Sequence, residues 1–211
     1  LIENANATDS WYTDAEKNRL EFWQKQALTR ISWFKEPTEI LDDSNPPFFK
    51  WFKDGELNLS YNCLDRHLES DGERVAFYWE GEPGDTQKIT YQDLYERVCK
   101  LSNALKKLGV EKGDRVAIYL GMTPEIVVSM LACARIGAVH SVVFGGFSSE
   151  ALADRINDAK AKTVITADGA WRRGDIVPLK NNVDGSLDLT DYVKNVIVVK
   201  RTEQEINMTD G

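Results

Sequence analysis

The sequence predicts an α/β fold, a mostly parallel sheet flanked by helices, preceded by an aromatic-rich extension of helix and loops. From about residue 74, β-rich apolar runs alternate with helical patterns, which is the order typical of parallel strands joined by right-handed crossovers. Before that point, residues 1–60 contain ten of the 21 aromatic residues. This early segment has little core of its own for its size, so we interpret it as a separate extension.

The composition is that of an ordinary globular protein. The chain has 211 residues, of which 42% are hydrophobic and 28% are charged, and it is therefore neither disordered nor fibrous. Its formal net charge of -8 argues against broad nucleic-acid binding, because such binding needs a positive surface. A small local basic site for one anionic ligand is still compatible with this charge.

The cysteines and histidines show no pattern of a disulfide framework or a metal site. Cys63, Cys99 and Cys133 form no CxxC pair, and His67 and His140 lie far apart in the sequence. We expect buried, reduced thiols, as in a cytoplasmic protein, and structural roles for both histidines.

One apolar run, residues 127–147, is long enough to suggest a membrane helix. Arg135 near its middle would cost about 2.5–3.5 kcal/mol on insertion scales, and Gly137 divides the run into a helical half and a β-branched half. We predict a buried helix followed by a buried strand, and no membrane span. The chain also begins without a signal-type apolar segment, so secretion is not indicated.

Residues 1–70 are assigned to the extension. A helix is expected from about Thr13 to Arg30, and Pro37 and the Pro46-Pro47 pair divide the following chain into loops and short turns. The aromatic side chains of the extension are expected to lie against another surface, within this protein or beyond it.

Residues 71–211 are assigned to the first part of a larger α/β domain. "RVAFYWEG" and "QKITY" are predicted strands, and Thr90 with Asp93 is a candidate capping box for the helix that follows. Apolar residues at helical spacing continue as far as Gly109, which is expected to end that helix in a left-handed conformation. "RVAIYL" is then predicted to be a buried strand.

The same alternation continues to the end of the chain. Thr123 is a candidate cap with Pro124 at the first helical position, and Gly137 is expected to end that helix before the strand "AVHSVVF". Ser148 is expected to cap "SEALADRINDA", while "KTVITAD" and "NVIVVKR" are predicted strands.

Two loops are candidates for ligand binding, because ligands of open α/β sheets bind beyond the carboxyl ends of the strands. The first is Gly145-Gly146, which lies between a strand and a helix start that favours anions. The second is "ADGAWRRGDIVPLK" (167–180), in which adjacent arginines beside a glycine and an aromatic residue could hold a phosphate. By itself, the glycine pair favours a tight strand-to-helix turn over a ligand site, and an arginine pair alone is usually part of a solvated surface turn.

Three long stretches resemble one enzyme family in order and spacing. They are "WFKDGELNLSYNCLDRHL" (51–68), "YLGMTPEIVVSMLACARIGAVHSVVFGGFSSEALADRI" (119–156) and "VITADGAWRRGDIVPLK" (164–180). The chain resembles the N-terminal part of the acetyl-CoA synthetases, the acetate–CoA ligases of the adenylate-forming (AMP-dependent synthetase) family. Propionyl-CoA synthetases are an alternative, because they share a similar N-terminal extension.

This resemblance implies a two-step ligase reaction. Acetate and ATP with Mg²⁺ give acetyl-adenylate and pyrophosphate, and the thiol of CoA then displaces AMP to give acetyl-CoA. The phosphate loop, the ribose-binding Asp and the adenylating Lys of the family are expected after residue 211. No catalytic residue is therefore expected in this chain, and as an isolated fragment it is expected to be inactive.

The resemblance also implies a CoA site in this chain. The FGG turn is expected along the pantetheine path, and the arginine loop is expected to bind the nucleotide end of CoA. The residues concerned are Phe144, Gly145 and Gly146 in the turn, and Arg172, Arg173, Gly174 and Asp175 in the loop. Asp175 departs from the family pattern, which often has an arginine there, and Arg173 is expected to reach the same phosphate instead.

A second interpretation is a non-catalytic binding or docking module that uses the aromatic residues 1–60 as its contact surface. In the enzyme interpretation, the expected partners are acetate, ATP, CoA and the rest of the same chain, without nucleic acid or membrane.

Overall fold

The computed structural model describes residues 9–209, which form two compact units divided between Asn58 and Leu59. The first unit has two helices, α1 (Asp9–Lys17) and α2 (Arg19–Arg30). It also has an antiparallel strand pair, β1 (Leu41–Asp42) and β2 (Lys50–Trp51).

The helix predicted from about Thr13 to Arg30 is two helices, broken at Asn18. The Oδ1 atom of Asn18 accepts the backbone N–H of Glu21 at 3.3 Å and thereby caps α2. A short amide side chain can satisfy the backbone locally in this way and interrupt a helix. Apolar spacing continues across the break, and it therefore did not reveal the second helix start.

Several aromatic side chains of the extension contact other residues of the first unit. Trp33 donates its Nε1–H to the carbonyl of Ala27 at 3.0 Å, and its ring lies 5.8 Å from that of Phe52. Phe48 and Phe49 remain exposed. Part of the aromatic set therefore stabilises this unit itself.

The second unit begins with short helical segments and an antiparallel strand pair, and continues as alternating strands and helices. Its elements are α3 (Leu59–Cys63), a 3₁₀ turn (Asp65–His67), α4 (Leu68–Asp71), β3 (Val75–Glu80), β4 (Thr86–Thr90), α5 (Tyr91–Lys107), β5 (Arg115–Leu120), α6 (Pro124–Ile136), β6 (Val139–Phe144), α7 (Ser149–Ala159), β7 (Thr163–Ala167), β8 (Ala170–Arg172), β9 (Asp175–Val177), α8 (Leu179–Leu187) and β10 (Asn195–Val199).

Four strands form a parallel sheet in the order β10-β7-β5-β6, which confirms the predicted α/β fold. β5 lies inside this sheet, and Val116 to Leu120 are all buried. The strands β3 and β4 pair antiparallel with each other, as do β8 and β9.

The predicted helix boundaries agree well with the structure. Thr90 and Asp93 form a reciprocal capping box at α5, with N···O distances of 3.0 and 3.1 Å. Gly109 and Gly137 follow their helices at φ angles of +80° and +73°, a left-handed conformation that favours glycine. Thr123 occupies the cap position of α6 without a capping hydrogen bond from its side chain.

The prediction of a buried strand after α6 is wrong, because β6 lies at an edge of the four-stranded sheet. α6 has six buried residues, as expected, but Val139, Val142 and Phe144 are 54%, 47% and 58% exposed. An apolar β-branched run indicates a strand without indicating how many neighbours that strand has. Within residues 9–209, no helix is both long and apolar enough to cross a membrane.

The three cysteines are free thiols, but only one of them is buried. Burial raises the pKa of Cys133 to about 12, so this thiol stays protonated. Cys63 is exposed, because the short helix α3 presents it to solvent, and the prediction of burial is wrong there.

In the part of the chain that the structure describes, no group of three or more His, Cys, Asp or Glu residues could hold a metal ion.

Asp168 joins the end of β7 to the chain that follows β10. It is 2% exposed, and its carboxylate accepts backbone N–H groups from Gly169, Arg201, Thr202 and Gln204 at 2.8–3.2 Å. Burial alone would raise the pKa of Asp168, but these N–H donors outweigh it, so the pKa is lowered.

We predict that Asp168→Asn lowers the free energy of unfolding at neutral pH by about 1–3 kcal/mol, because an amide cannot accept all of these N–H groups. Since the pKa is lower in the folded state, the carboxylate stabilises the fold above about pH 4 and loses this effect as pH falls through its folded value. Urea unfolding of both proteins should therefore show a difference that shrinks at low pH. Asp154→Asn, on the exposed face of α7, is the matched control, and an equal loss in that variant would contradict the prediction.

Candidate functional site

A cavity of about 380 Å³ opens at the carboxyl end of the parallel sheet. Its wall includes Leu120 at the end of β5, Phe144 at the end of β6, and Ala170 shortly after β7. The parallel pairing of these strands brings the loops that follow them to one edge, where ligands of such sheets bind.

The loop after β6 is held in place by one hydrogen bond to β5 and one within the loop itself. The hydroxyl of Tyr119 donates to the carbonyl of Phe147 at 2.7 Å and accepts Nδ2–H of Asn182 at 3.1 Å. The backbone N–H of Phe147 also donates to the carbonyl of Phe144 at 3.0 Å. Both glycines of this loop therefore lie in a fixed turn.

The two glycines are needed for close approach rather than for an unusual φ angle, since neither has a positive φ. A Cβ on Gly145 would lie 3.1 Å from the backbone oxygen of Leu120. A Cβ on Gly146 would overlap Nη1 of Arg172 and lie 2.7 Å from Cε1 of Phe144. The absence of a side chain at residue 146 thus leaves room for the guanidinium group of Arg172.

The predicted arginine loop is a β-hairpin. Arg172 at the end of β8 pairs with Asp175 at the start of β9, and Arg173 and Gly174 form the turn between them. Their φ angles of +56° and +85° match the two-residue mirror-image turns that suit β-hairpins. Gly174 at the second turn position was the sequence signal for this hairpin, but arginine is unusual at the first position.

The structure brings together Arg172 and the FGG turn. The guanidinium carbon of Arg172 lies 5.1 Å from the centroid of the Phe144 ring, and both residues line the cavity with Gly145 and Gly146. Arg173, Gly174 and Asp175 form the exposed tip of the hairpin and are not part of the cavity wall. Their contact with a ligand stays a prediction.

The cavity wall also includes Trp79, Met122 and Arg201, which the sequence did not connect to this site. Trp79 on β3 donates its Nε1–H to the carbonyl of Met122 at 2.7 Å. Arg201 lies over the Trp79 ring at 5.1 Å and forms an ion pair with Asp85 at 3.0 Å. These residues are far apart in the sequence and share no local motif, so the sequence gives no signal that they lie at one site.

The cavity wall has two acidic residues, Glu80 and Glu82, and two basic ones, Arg172 and Arg201, so an anion would depend on contact with one arginine and not on the overall charge. Arg201 is neutralised by Asp85, whereas none of the ion pairs formed within residues 9–209 involves Arg172. A guanidinium group can hold a phosphate through two parallel hydrogen bonds. Ile126, Val142 and Phe144 add apolar surface to the same cavity.

Two family models match the chain in succession. Residues 8–63 match the acetyl-coenzyme A synthetase N-terminus, and residues 64–210 match the AMP-binding enzyme family.

Curated relatives match over the full length of this chain. It is 59% identical to an acetyl-coenzyme A synthetase of Streptomyces avermitilis and covers 32% of that protein. It is 57% identical to one from Streptomyces coelicolor, again covering 32%, and 54% identical to one from Mycobacterium tuberculosis, covering 33%. The chain thus spans about a third of the length of these relatives. It belongs to the AMP-binding enzyme family, within which it corresponds to the N-terminal part of the acetyl-coenzyme A synthetases.

Proposed function

We propose that the protein to which this chain belongs is an AMP-forming acetate–CoA ligase, and that this chain supplies part of its CoA site. Acetate is first joined to AMP from ATP, with release of pyrophosphate. The sulfur of CoA then attacks the acyl carbon, the bond to AMP breaks, and acetyl-CoA and AMP leave. Adenylation makes this step possible because AMP is a far better leaving group than the oxygen of free acetate.

The observation that carries the CoA assignment is the contact between Arg172 and the FGG turn. An arginine without an ion-pair partner among the described residues lies against Phe144 and beside Gly146, at the rim of a cavity with an apolar wall. CoA combines phosphates at one end with a long, narrow pantetheine arm. The guanidinium of Arg172 would bind a phosphate, and the absence of a side chain at residue 146 allows this guanidinium to lie beside the turn along which the arm would pass.

We assign ATP and Mg²⁺ to parts of the longer protein outside this chain, as the family resemblance implies. A cytoplasmic location is also part of the proposal. The three free thiols support it, because unpaired cysteines are typical of reducing compartments.

The reaction itself is tested with the full-length protein, acetate, ATP, Mg²⁺ and CoA. We expect acetyl-CoA and AMP to form in equal amounts, and we expect acetate to promote exchange of pyrophosphate into ATP without CoA. Formation of ADP, or a lack of acetate-dependent exchange, would overturn the ligase proposal. A parallel series with propionate in place of acetate separates the acetyl-CoA from the propionyl-CoA synthetases.

We predict that Arg172→Ala raises the KM for CoA about ten- to hundredfold, because a charged hydrogen-bonding partner of a phosphate is worth about 1.5–3 kcal/mol. Acetate-dependent pyrophosphate exchange should remain nearly unchanged, since CoA takes no part in that step. Arg155→Ala, which removes an exposed arginine of α7, is the matched control. Equal losses in both half-reactions would indicate a folding role for Arg172 and contradict the CoA assignment.

A second prediction concerns Gly146. The new Cβ of Gly146→Ala would displace both the guanidinium of Arg172 and the edge of the Phe144 ring. Both side chains are exposed and can move, so little stability should be lost. The KM for CoA should rise more than the rate of pyrophosphate exchange falls, and Gly146→Val should enlarge this difference. Thermal unfolding is measured alongside the two half-reactions, and a loss of exchange equal to the loss of thioester formation would refute this role of Gly146.

A further inference from the structure

The turn between β3 and β4, residues 81–85, is a well-defined structure close to the arginine hairpin. Gly81 donates its backbone N–H to the carbonyl of Asp85 at 2.7 Å, and Gly84 donates to the carbonyl of Gly81 at 2.9 Å. The side chain of Asp85 is held by Arg201, which in turn lies over Trp79. Because of these contacts, the turn can hold other groups at a defined position.

Glu82 in this turn contacts the tip of the arginine hairpin. Its carboxylate oxygen Oε1 accepts the backbone N–H of Gly174, which lies 92 residues further along the chain. In a two-residue hairpin turn, the ladder between Arg172 and Asp175 does not use the N–H of the second turn residue. Glu82 therefore satisfies a donor that the hairpin itself leaves unpaired, and its negative charge strengthens the bond.

The hairpin needs such support because it is small. β8 and β9 have three residues each and pair only with each other among the described strands, and an isolated hairpin is at best marginally stable in water. Its base is fixed through Asp168, which binds the N–H of Gly169 directly before β8. Its tip is fixed through Glu82.

We propose that Glu82 is a positioning residue for Arg172. By binding the hairpin turn, Glu82 holds the hairpin in the position in which the guanidinium of Arg172 lies against Phe144 and beside Gly146. Arg172 directly precedes the turn that Glu82 binds, so a shift of the turn moves the guanidinium across the cavity wall. This inference rests on the proposed function, because it assigns Glu82 a role in binding the phosphate end of CoA. It also opposes the simpler expectation that an acidic residue in the cavity wall repels an anionic ligand.

The test uses the full-length enzyme with Glu82→Ala and Glu82→Gln. Removal of the acceptor in Glu82→Ala should raise the KM for CoA about two- to tenfold, as expected for an exposed charged hydrogen bond. Pyrophosphate exchange should be unchanged. Glu82→Gln keeps an oxygen acceptor for the Gly174 N–H and should restore most of the CoA affinity. The matched control is Glu73→Ala, because Glu73 is an exposed acid before β3 whose carboxylate has no described hydrogen bond or ion pair.

A double-mutant cycle with Arg172→Ala distinguishes this inference from the proposed function. If Glu82 acts through Arg172, adding Glu82→Ala to Arg172→Ala should change the KM for CoA by less than about twofold, because interacting residues are not additive. A KM that is unaffected by Arg172→Ala overturns the CoA site itself. If Arg172→Ala raises the KM, the positioning role is overturned by an unchanged or lower KM in Glu82→Ala, by full additivity, or by failure of Glu82→Gln to restore binding.

Discussion

The parallel pairing of β5 with β6 on one side and β7 on the other determines where the site can lie. Parallel strands end at the same edge of a sheet, so the loop after β6 and the hairpin after β7 must meet beyond β5. β5 is buried along almost its whole length, and its position is therefore well defined by packing. The contact between Gly146 and Arg172 follows from this topology, although 26 residues separate the two positions in the sequence.

The elements that the sequence predicted well are those determined by local chemistry. A threonine followed three residues later by an acid predicted the start of α5, and Gly137 predicted the end of α6, because both act on the backbone of their own turn. The exposure of β6 could not be predicted in the same way. Whether a strand lies inside or at an edge depends on which other strands pair with it, and an apolar run does not contain that information.

The candidate site was predicted in part. Gly145-Gly146 and Arg172 were identified from the sequence, and the structure places them together. The sequence suggested that the glycines leave room for the pantetheine arm, but the structure gives a different physical reason for each of them. Residue 145 lacks a side chain because the backbone of β5 is close, and residue 146 lacks one because a guanidinium occupies that space. Trp79, Glu82 and Arg201 were missed, since their contribution arises only from the folded arrangement of the β3–β4 turn.

The proposed anion site would lie in a protein that is acidic overall. With a net charge of -8, the chain does not attract anions in general, so binding depends on short-range contacts. Arg201 is held by Asp85, and the turn N–H of Gly174 is satisfied by Glu82. The guanidinium of Arg172 is left facing the cavity with aromatic support from Phe144 on one side. In the proposed site, CoA would therefore place a phosphate within hydrogen-bonding distance of this one group and fit the rest of its length along the glycine turn, which is a constraint of shape as much as of charge.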